Sequence, residues 1–272
     1  MRKTTKILKY IFLAAAALIS IFPFLWMLIS ATNKSIEVSR GSLLPGTYLF
    51  ENLKNLFANN LNFANSLVNS AKIAVITTVL ALIISSLAGY GFEIYKTKFR
   101  DKIFAILLLS MMVPFASLMV PLFRMFRSFK VFGLNTTASV IIPSVATAFL
   151  IFFFRQNTKA FPKDLLEAGR IDGLSEIQLF TKIYVPTMKS TYAAAAIITF
   201  MSSWNNYMWP LITLQTASKR TAPLIISTMS SSYTPDYGMI MAGIVIATLP
   251  TALVFFLMQK QFVEGMLGSV KG

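Results

Sequence analysis

Residues able to carry out acid–base or ligand chemistry are scarce in this sequence, and where they gather is informative. The chain has 272 residues with no histidine and no cysteine. That removes the commonest general base and metal ligand, and with it any thiolate, disulfide or redox centre. An enzyme built on this chain would lack the usual acid–base groups, so no catalytic residue, no metal site and no cofactor is expected. Ten carboxylates are present. Four of them, Asp164, Glu167, Asp172 and Glu176, fall in or just before one stretch of mixed polarity, Glu167–Pro186 (EAGRIDGLSEIQLFTKIYVP). What such a stretch offers is a shaped surface for a partner protein to grip.

A second group of polar residues can bind a neutral ligand. The sequence Phe200-Met201-Ser202-Ser203-Trp204-Asn205-Asn206-Tyr207-Met208-Trp209-Pro210-Leu211 ends a long apolar run. Aromatic belts at a membrane interface account for Tyr207 and Trp209. They do not account for Asn205 and Asn206, whose amides beside flat rings can hydrogen-bond hydroxyls while the rings stack on an apolar face. Trp204, Asn205, Asn206 and Tyr207 are therefore the candidate substrate-path residues.

The elements that must position these residues are helices. Pro162 and Asp164 suit the first turn of a helix carrying Leu165, Leu166, Ala168 and Ile171. Asp172-Gly173 predicts its end, because glycine tolerates the left-handed conformation that closes a helix. Ser175 with Gln178 predicts a capping box that opens a second helix bearing Ile177, Phe180, Ile183 and Tyr184, which Pro186 kinks or ends.

Around this pair the composition is that of a membrane protein. The chain is 56% hydrophobic and 13% charged, about half the charged share of a soluble domain. Long uncharged runs predict a single all-α polytopic domain, residues 1–272, with six transmembrane helices at about 8–31, 67–92, 103–123, 137–154, 190–211 and 239–258. The small residues Ser85, Ser86, Ala88, Gly89 and Gly91 predict close helix packing in the second span. The first run, over twenty residues in all, continues past Ala14–Ala17 through Phe22, Phe24 and Trp26, which favours an uncleaved span over a signal peptide. With the N-terminus inside, inner segments hold sixteen Lys and Arg against eight in outer loops. The positive-inside rule then puts both termini and the loop 155–189 in the cytoplasm. The net charge of +15 thereby reads as inner-loop charge on a bilayer protein, with no nucleic-acid partner. Apart from Lys72, no ionisable group lies well inside a span, and no Walker A motif is present, so energy has to come from a partner.

Glu167-Ala168, with Gly173 six residues after the Glu and Ile183-Tyr184-Val185-Pro186 closing the string, resembles the EAA loop of ABC importer permeases. Gly169 stands where a second Ala is usual and Val185 where Leu is usual, both small apolar changes expected to alter little. The Trp-Asn-x-x-x-x-Pro-Leu pattern from Trp204, and the closing Gln261-Phe262-Val263-Glu264-Gly265, resemble the maltose-type carbohydrate branch. The resemblance implies a type I ABC importer permease fold and a carbohydrate-import permease subunit that is not itself an enzyme. A permease subunit for another solute, such as a glycerol-phosphate-type polyol phosphate, is the alternative. It further implies a second permease subunit in a heterodimer, two cytoplasmic ATPase subunits and an extracytoplasmic sugar-binding protein. Glu167, Ala168, Gly169, Asp172, Gly173, Ile183 and Pro186 become the ATPase-coupling residues, and Gly265 to Gly272 a tail reaching toward the ATPases.

Overall fold

In the computed structural model, residues 2–268 are described, with side chains for residues 6–260. The side chains of Gln261–Gly265 and the terminal Val270-Lys271-Gly272 therefore lie outside the described residues. Every regular element among the described residues is helical. In order these are α1 (Arg2–Ala31), α2 (Ser35–Ser39), α3 (Leu49–Ala58), α4 (Phe63–Ile94), α5 (Lys98–Ser110), α6 (Phe115–Ser128), α7 (Thr137–Ile141) and α8 (Ala148–Thr158). There follow α9 (Asp164–Ile171), α10 (Glu176–Gln178), a π-helical turn Leu179–Tyr184, α11 (Val185–Thr187), α12 (Lys189–Trp204), α13 (Met208–Thr213), α14 (Ala222–Ser230) and α15 (Tyr237–Gly268), with short 3₁₀ turns at Ile142–Ser144 and Ala217–Lys219.

Among the described residues, three helices are long and apolar enough to cross a bilayer, over Lys6–Ala31, Phe63–Ile94 and Tyr237–Lys260. Two pairs reach that standard only together. One joins α5 to α6 through a bend of 100°, and the other runs from Thr137 to Thr158 through a bend of 41°. The first bend falls in the middle of the run 103–123 that the sequence predicts as one helix. Its cause is Pro114, which has no amide hydrogen, disfavours helical geometry at Val113 and stands as the extended N-cap of α6 (ψ 136°). The run 190–211 is likewise two helices, α12 and α13, with Asn205–Tyr207 between them.

The chain divides into two units. One comprises residues 1–64 and 222–250. Its organising side chain is Asn52, 3% exposed. Its amide nitrogen donates to the carbonyls of Ala31 at 2.8 Å and Asn33 at 2.9 Å, satisfying groups at the end of α1 that the helix leaves open. Gly238 lies against the same residues, so close that a Cβ there would come 2.5 Å from the Asn33 carbonyl oxygen.

The other unit comprises residues 65–221 and 251–272. Ala81, Leu150, Phe153, Phe154, Ala194 and Ala195 form a core in which α4, α8 and α12 meet. Small residues let these helices approach. A Cβ on Gly89 would fall 2.6 Å from Phe154 Cβ and 2.8 Å from the Arg155 nitrogen. Gly91 faces open space, so of the two glycines only Gly89 serves packing. A second core, of Tyr90, Phe161, Leu166, Leu179, Tyr184 and Met188, underlies the helix pair that follows α8.

Candidate functional site

The stretch read from the sequence as a helix pair is one, and its turn is closed by local hydrogen bonds. α9 is capped by Asp172, and Gly173 takes φ +82°. The Leu174 amide donates to the Gly169 carbonyl at 2.9 Å and the Gly173 amide to the Arg170 carbonyl at 3.1 Å. These two bonds are the Schellman pattern, available here because glycine adopts the left-handed region without steric cost. One residue later the second helix opens on Ser175. Its amide donates to Gln178 Oε1 at 2.9 Å, and its hydroxyl accepts from the Gln178 amide at 3.4 Å. Pro186 does not end this helix; the backbone widens into the π-helical turn Leu179–Tyr184 and continues through α11. A proline cannot donate to the carbonyl four residues back, and a widened turn is one way for a helix to accommodate it.

Gly169 proves tighter than the sequence suggested. A Cβ there would stand 2.6 Å from Leu179 Cδ2 and 2.7 Å from Ile183 Cδ1. The glycine thus sets how closely α9 lies on the second helix, and alanine would have to displace both side-chain ends. Leu166 is buried, whereas Ile171 and Ile177, expected on apolar faces, are 87% and 77% exposed at the turn. Glu167, Ala168, Asp172 and Pro186 are exposed too, with Ile183 half-buried. The tip therefore shows apolar and acidic side chains together.

Beneath the tip the pair is anchored. Tyr184 is fully buried, and its hydroxyl lies 2.6 Å from Thr158 Oγ1, which donates onward to the Phe154 carbonyl at 2.7 Å. Burial pushes the Tyr184 phenol above its usual range. Its ring stacks on Phe180 and meets Tyr90 edge-on at a centroid distance of 4.8 Å. Across the turn, the Arg170 guanidinium grips both Glu176 oxygens, at 2.9 and 3.3 Å. Tyr95, from the segment joining α4 and α5, donates its hydroxyl to the same carboxylate. The Arg170 hydrogen bond first, and the Tyr95 one second, hold Glu176 below the usual carboxylate range. Burial first, and the bond to Glu176 second, raise Tyr95.

A charged cluster that sequence reasoning missed lies next to this anchor. Arg155 Nη2 sits 2.6 Å from Asp101 Oδ1, and its Nε 3.5 Å from Glu93 Oε2. Lys163, the N-cap of α9, reaches the other Glu93 oxygen at 3.4 Å. Glu93 and Arg155 are each 6% exposed, and the Arg155 guanidinium lies 4.0 Å from the Phe104 ring centroid. The one sequence signal was that Glu93 and Arg155 are the first charges after two apolar runs.

The second candidate region, the end of α12, separates the residues proposed for it. Trp204 is 4% exposed and stacks on Phe200. Asn205 is exposed and donates its amide to the Met201 carbonyl at 2.9 Å. Asn206, with Thr77, Ser144, Thr147, Thr199 and Ser202, lines a cavity of about 130 Å³ that has no charged residue in its wall. Tyr207 is half-buried and is not among the residues lining that cavity. Trp209 is no belt residue: it is 1% exposed, its indole donates to the Ser139 carbonyl at 2.8 Å, and Phe115 and Phe126 meet its ring edge-on.

This geometry has close counterparts. The family described as "binding-protein-dependent transport system inner membrane component" matches residues 78–267. The chain belongs to that family. The lactose transport system permease protein LacG of Rhizobium radiobacter is 50% identical over 270 residues, covering 99% of this chain and 98% of LacG. The arabinooligosaccharides transport system permease protein AraQ of Bacillus subtilis (strain 168) is 35% identical over 96% of this chain and 94% of its own. A chain of a bacterial ABC transporter involved in import of the acidic polysaccharide alginate superposes with a TM-score of 0.85, at 21% identity, over 96% of this chain and 97% of that one. The protein is thus an all-helical membrane permease with the type I ABC importer fold, a transport component and not an enzyme. In a binding-protein-dependent permease the exposed helix pair and the uncharged cavity become the two places where function is to be sought.

Proposed function

We propose that this chain is one of two permease subunits of a carbohydrate importer, energised by two cytoplasmic ATPase subunits and loaded by an extracytoplasmic sugar-binding protein. The observation that carries this reading is the helix pair Asp164–Thr187. It exposes Ile171 and Ile177 at 87% and 77%, yet is fixed below by a buried tyrosine and across by a bidentate ion pair. A rigid mount presenting large apolar side chains is what a docking element requires. Glu167, Ala168, Gly169, Asp172, Gly173, Ile183 and Pro186 form or support that element. The six spans, the cytoplasmic placement of both termini and the fifth span as α12 followed by α13 complete the reading, with the positive-inside count in support.

The cargo is a neutral sugar or oligosaccharide. Relatives named for lactose and for arabinooligosaccharides stand at 50% and 35% identity, above those named for sn-glycerol-3-phosphate at 30%. A phosphate would favour Arg or Lys on its path, and the cavity at the end of α12 has neither.

The test is reconstitution of the complete complex in proteoliposomes. ATP hydrolysis should depend on the binding protein loaded with lactose or an arabinooligosaccharide, with labelled sugar accumulating inside. Uptake of sn-glycerol-3-phosphate and of neither sugar would overturn the carbohydrate assignment. Hydrolysis by this chain alone would overturn the permease role.

A further inference from the structure

The cavity beside Asn206 contains an anomaly. Thr77 lies in the middle of α4, 1% exposed, and its Oγ1 has no hydrogen-bond partner. Buried hydroxyls seldom stay unpaired, and a helical threonine has a ready escape in the carbonyl four residues back. The next residue takes it: Thr78 Oγ1 donates to the Ala74 carbonyl at 2.7 Å. Thr77 does not: the residue stands in the cavity wall with its Oγ1 covered and unpaired.

The other polar groups of the wall have capacity to spare. Ser144 Oγ donates to the Val140 carbonyl at 3.2 Å, leaving its lone pairs to accept. Thr147 Oγ1 accepts from the Leu150 amide at 3.3 Å, leaving its proton to donate. The Asn206 side chain offers both functions, and Thr199 and Ser202 add hydroxyls. Phe149, Leu150 and Ile198 supply an apolar side. The volume of about 130 Å³ is roughly that of four waters, enough for part of a sugar ring and its hydroxyls and too little for a whole oligosaccharide.

We infer that this cavity is a subsite for carbohydrate hydroxyls, so that the present subunit itself contacts and selects the cargo during passage. Sugar hydroxyls both donate and accept, and their ring C–H faces suit an aromatic or aliphatic wall. An uncharged wall discriminates against phosphorylated cargo, which would lose its ionic hydration without a cation to replace it. The inference rests on the carbohydrate reading above and goes further in placing a point of selection on named residues of this chain.

The test uses the complete reconstituted complex with radiolabelled lactose and an arabinooligosaccharide as probes. Thr77→Val removes a hydroxyl that has no protein partner, so thermal stability should hold or rise. Uptake by Thr77→Val and by Ser202→Ala should fall about three- to tenfold, while hydrolysis stimulated by the loaded binding protein stays within about twofold of the unaltered complex. Thr77→Ser should restore uptake. If Thr77→Val fails to insert, Ser202→Ala decides by the same criterion. Unchanged uptake in the variants, in a complex that does carry sugar, would mean the cavity holds structural water only and would overturn the subsite alone. A parallel fall in uptake and hydrolysis would overturn it too, as the mark of a structural role. If the unaltered complex moves neither sugar, the carbohydrate reading fails and takes the subsite with it.

Discussion

The Tyr184 hydroxyl sits 2.6 Å from Thr158 Oγ1, joining the second helix of the exposed pair to the end of α8 inside a wall of aromatic rings. Tyr184→Phe removes that bond but leaves Thr158 donating to the Phe154 carbonyl, so the loss should be about 0.5–1.5 kcal/mol. Tyr184→Ala removes the ring as well and should cost roughly 3–5 kcal/mol. Thermal unfolding of the purified complex in detergent should rank unaltered, Phe and Ala in that order, with a much larger second step.

Gly173 offers a way to separate folding from coupling. A Cβ there meets nothing within 4 Å, so the cost of Gly173→Val is that of the left-handed backbone, about 1–2 kcal/mol. The protein should reach the membrane at near-normal levels while sugar uptake collapses. Gly173→Asn, which tolerates positive φ better, should keep most uptake. Membrane levels and uptake measured together check both expectations.

The Arg170–Glu176 pair should yield to a charge swap. Arg170→Glu places two carboxylates together and should lower the stimulated ATPase rate, whereas Arg170→Glu with Glu176→Arg should recover much of it. The Glu176 carboxyl is held below its reference value of 4.5. Its contribution to local order is therefore full above about 4.5 and disappears as the pH falls through the lower, folded value. Limited proteolysis of the helix pair should accelerate on acidification below that point, and Glu176→Gln should remove the pH dependence.

Arg155 is the keystone of a cluster in which Glu93 is buried. Arg155→Met leaves Glu93 facing only Lys163 at 3.4 Å, and breaking a buried pair in this manner costs about 3–5 kcal/mol. Assembled complex should fall sharply. Arg155→Met with Glu93→Gln removes the stranded charge and should recover part of the loss, as read by the yield of complex from detergent.

Cysteine labelling tests the orientation. The chain has no native cysteine, so single cysteines at Asn60 and Ser218 should label from outside and those at Lys98 and Ile177 only after permeabilisation. External labelling at Ile177 would place the helix pair on the wrong side for an ATPase.

What could be read from the sequence followed the range of the forces involved. The Gly173 turn and the Ser175–Gln178 box depend on bonds spanning three to five residues, and the residue types alone determine them. The Arg155 cluster joins groups 62 and 54 positions apart, and nothing local marks them as partners. Trp209 was read as an interfacial residue because its neighbourhood is aromatic. Its burial depends on the Ser139 carbonyl, 70 positions away. Pro114 breaks the run 103–123 into α5 and α6, and nothing in the local sequence states that the bend there reaches 100°. Thr77 and Ser144 stand 67 positions apart with no local signal that joins them, and the fold brings both residues to the wall of one cavity.

The missing side chain at Gly169 has a mechanical consequence. With Leu179 and Ile183 standing where a Cβ would be, the two short helices have almost no gap in which to slide or flex against each other. Their far ends are closed by the turn and by the Arg170–Glu176 clasp, so the pair is a lever and not a spring. In the coupling role proposed above, a push at Ile171 or Ile177 should reach the Tyr184–Thr158 junction and through it α8. Filling Gly169 with a bulkier side chain would prise the helices apart and turn that lever into a cushion, which would absorb the stroke while leaving its surface in view.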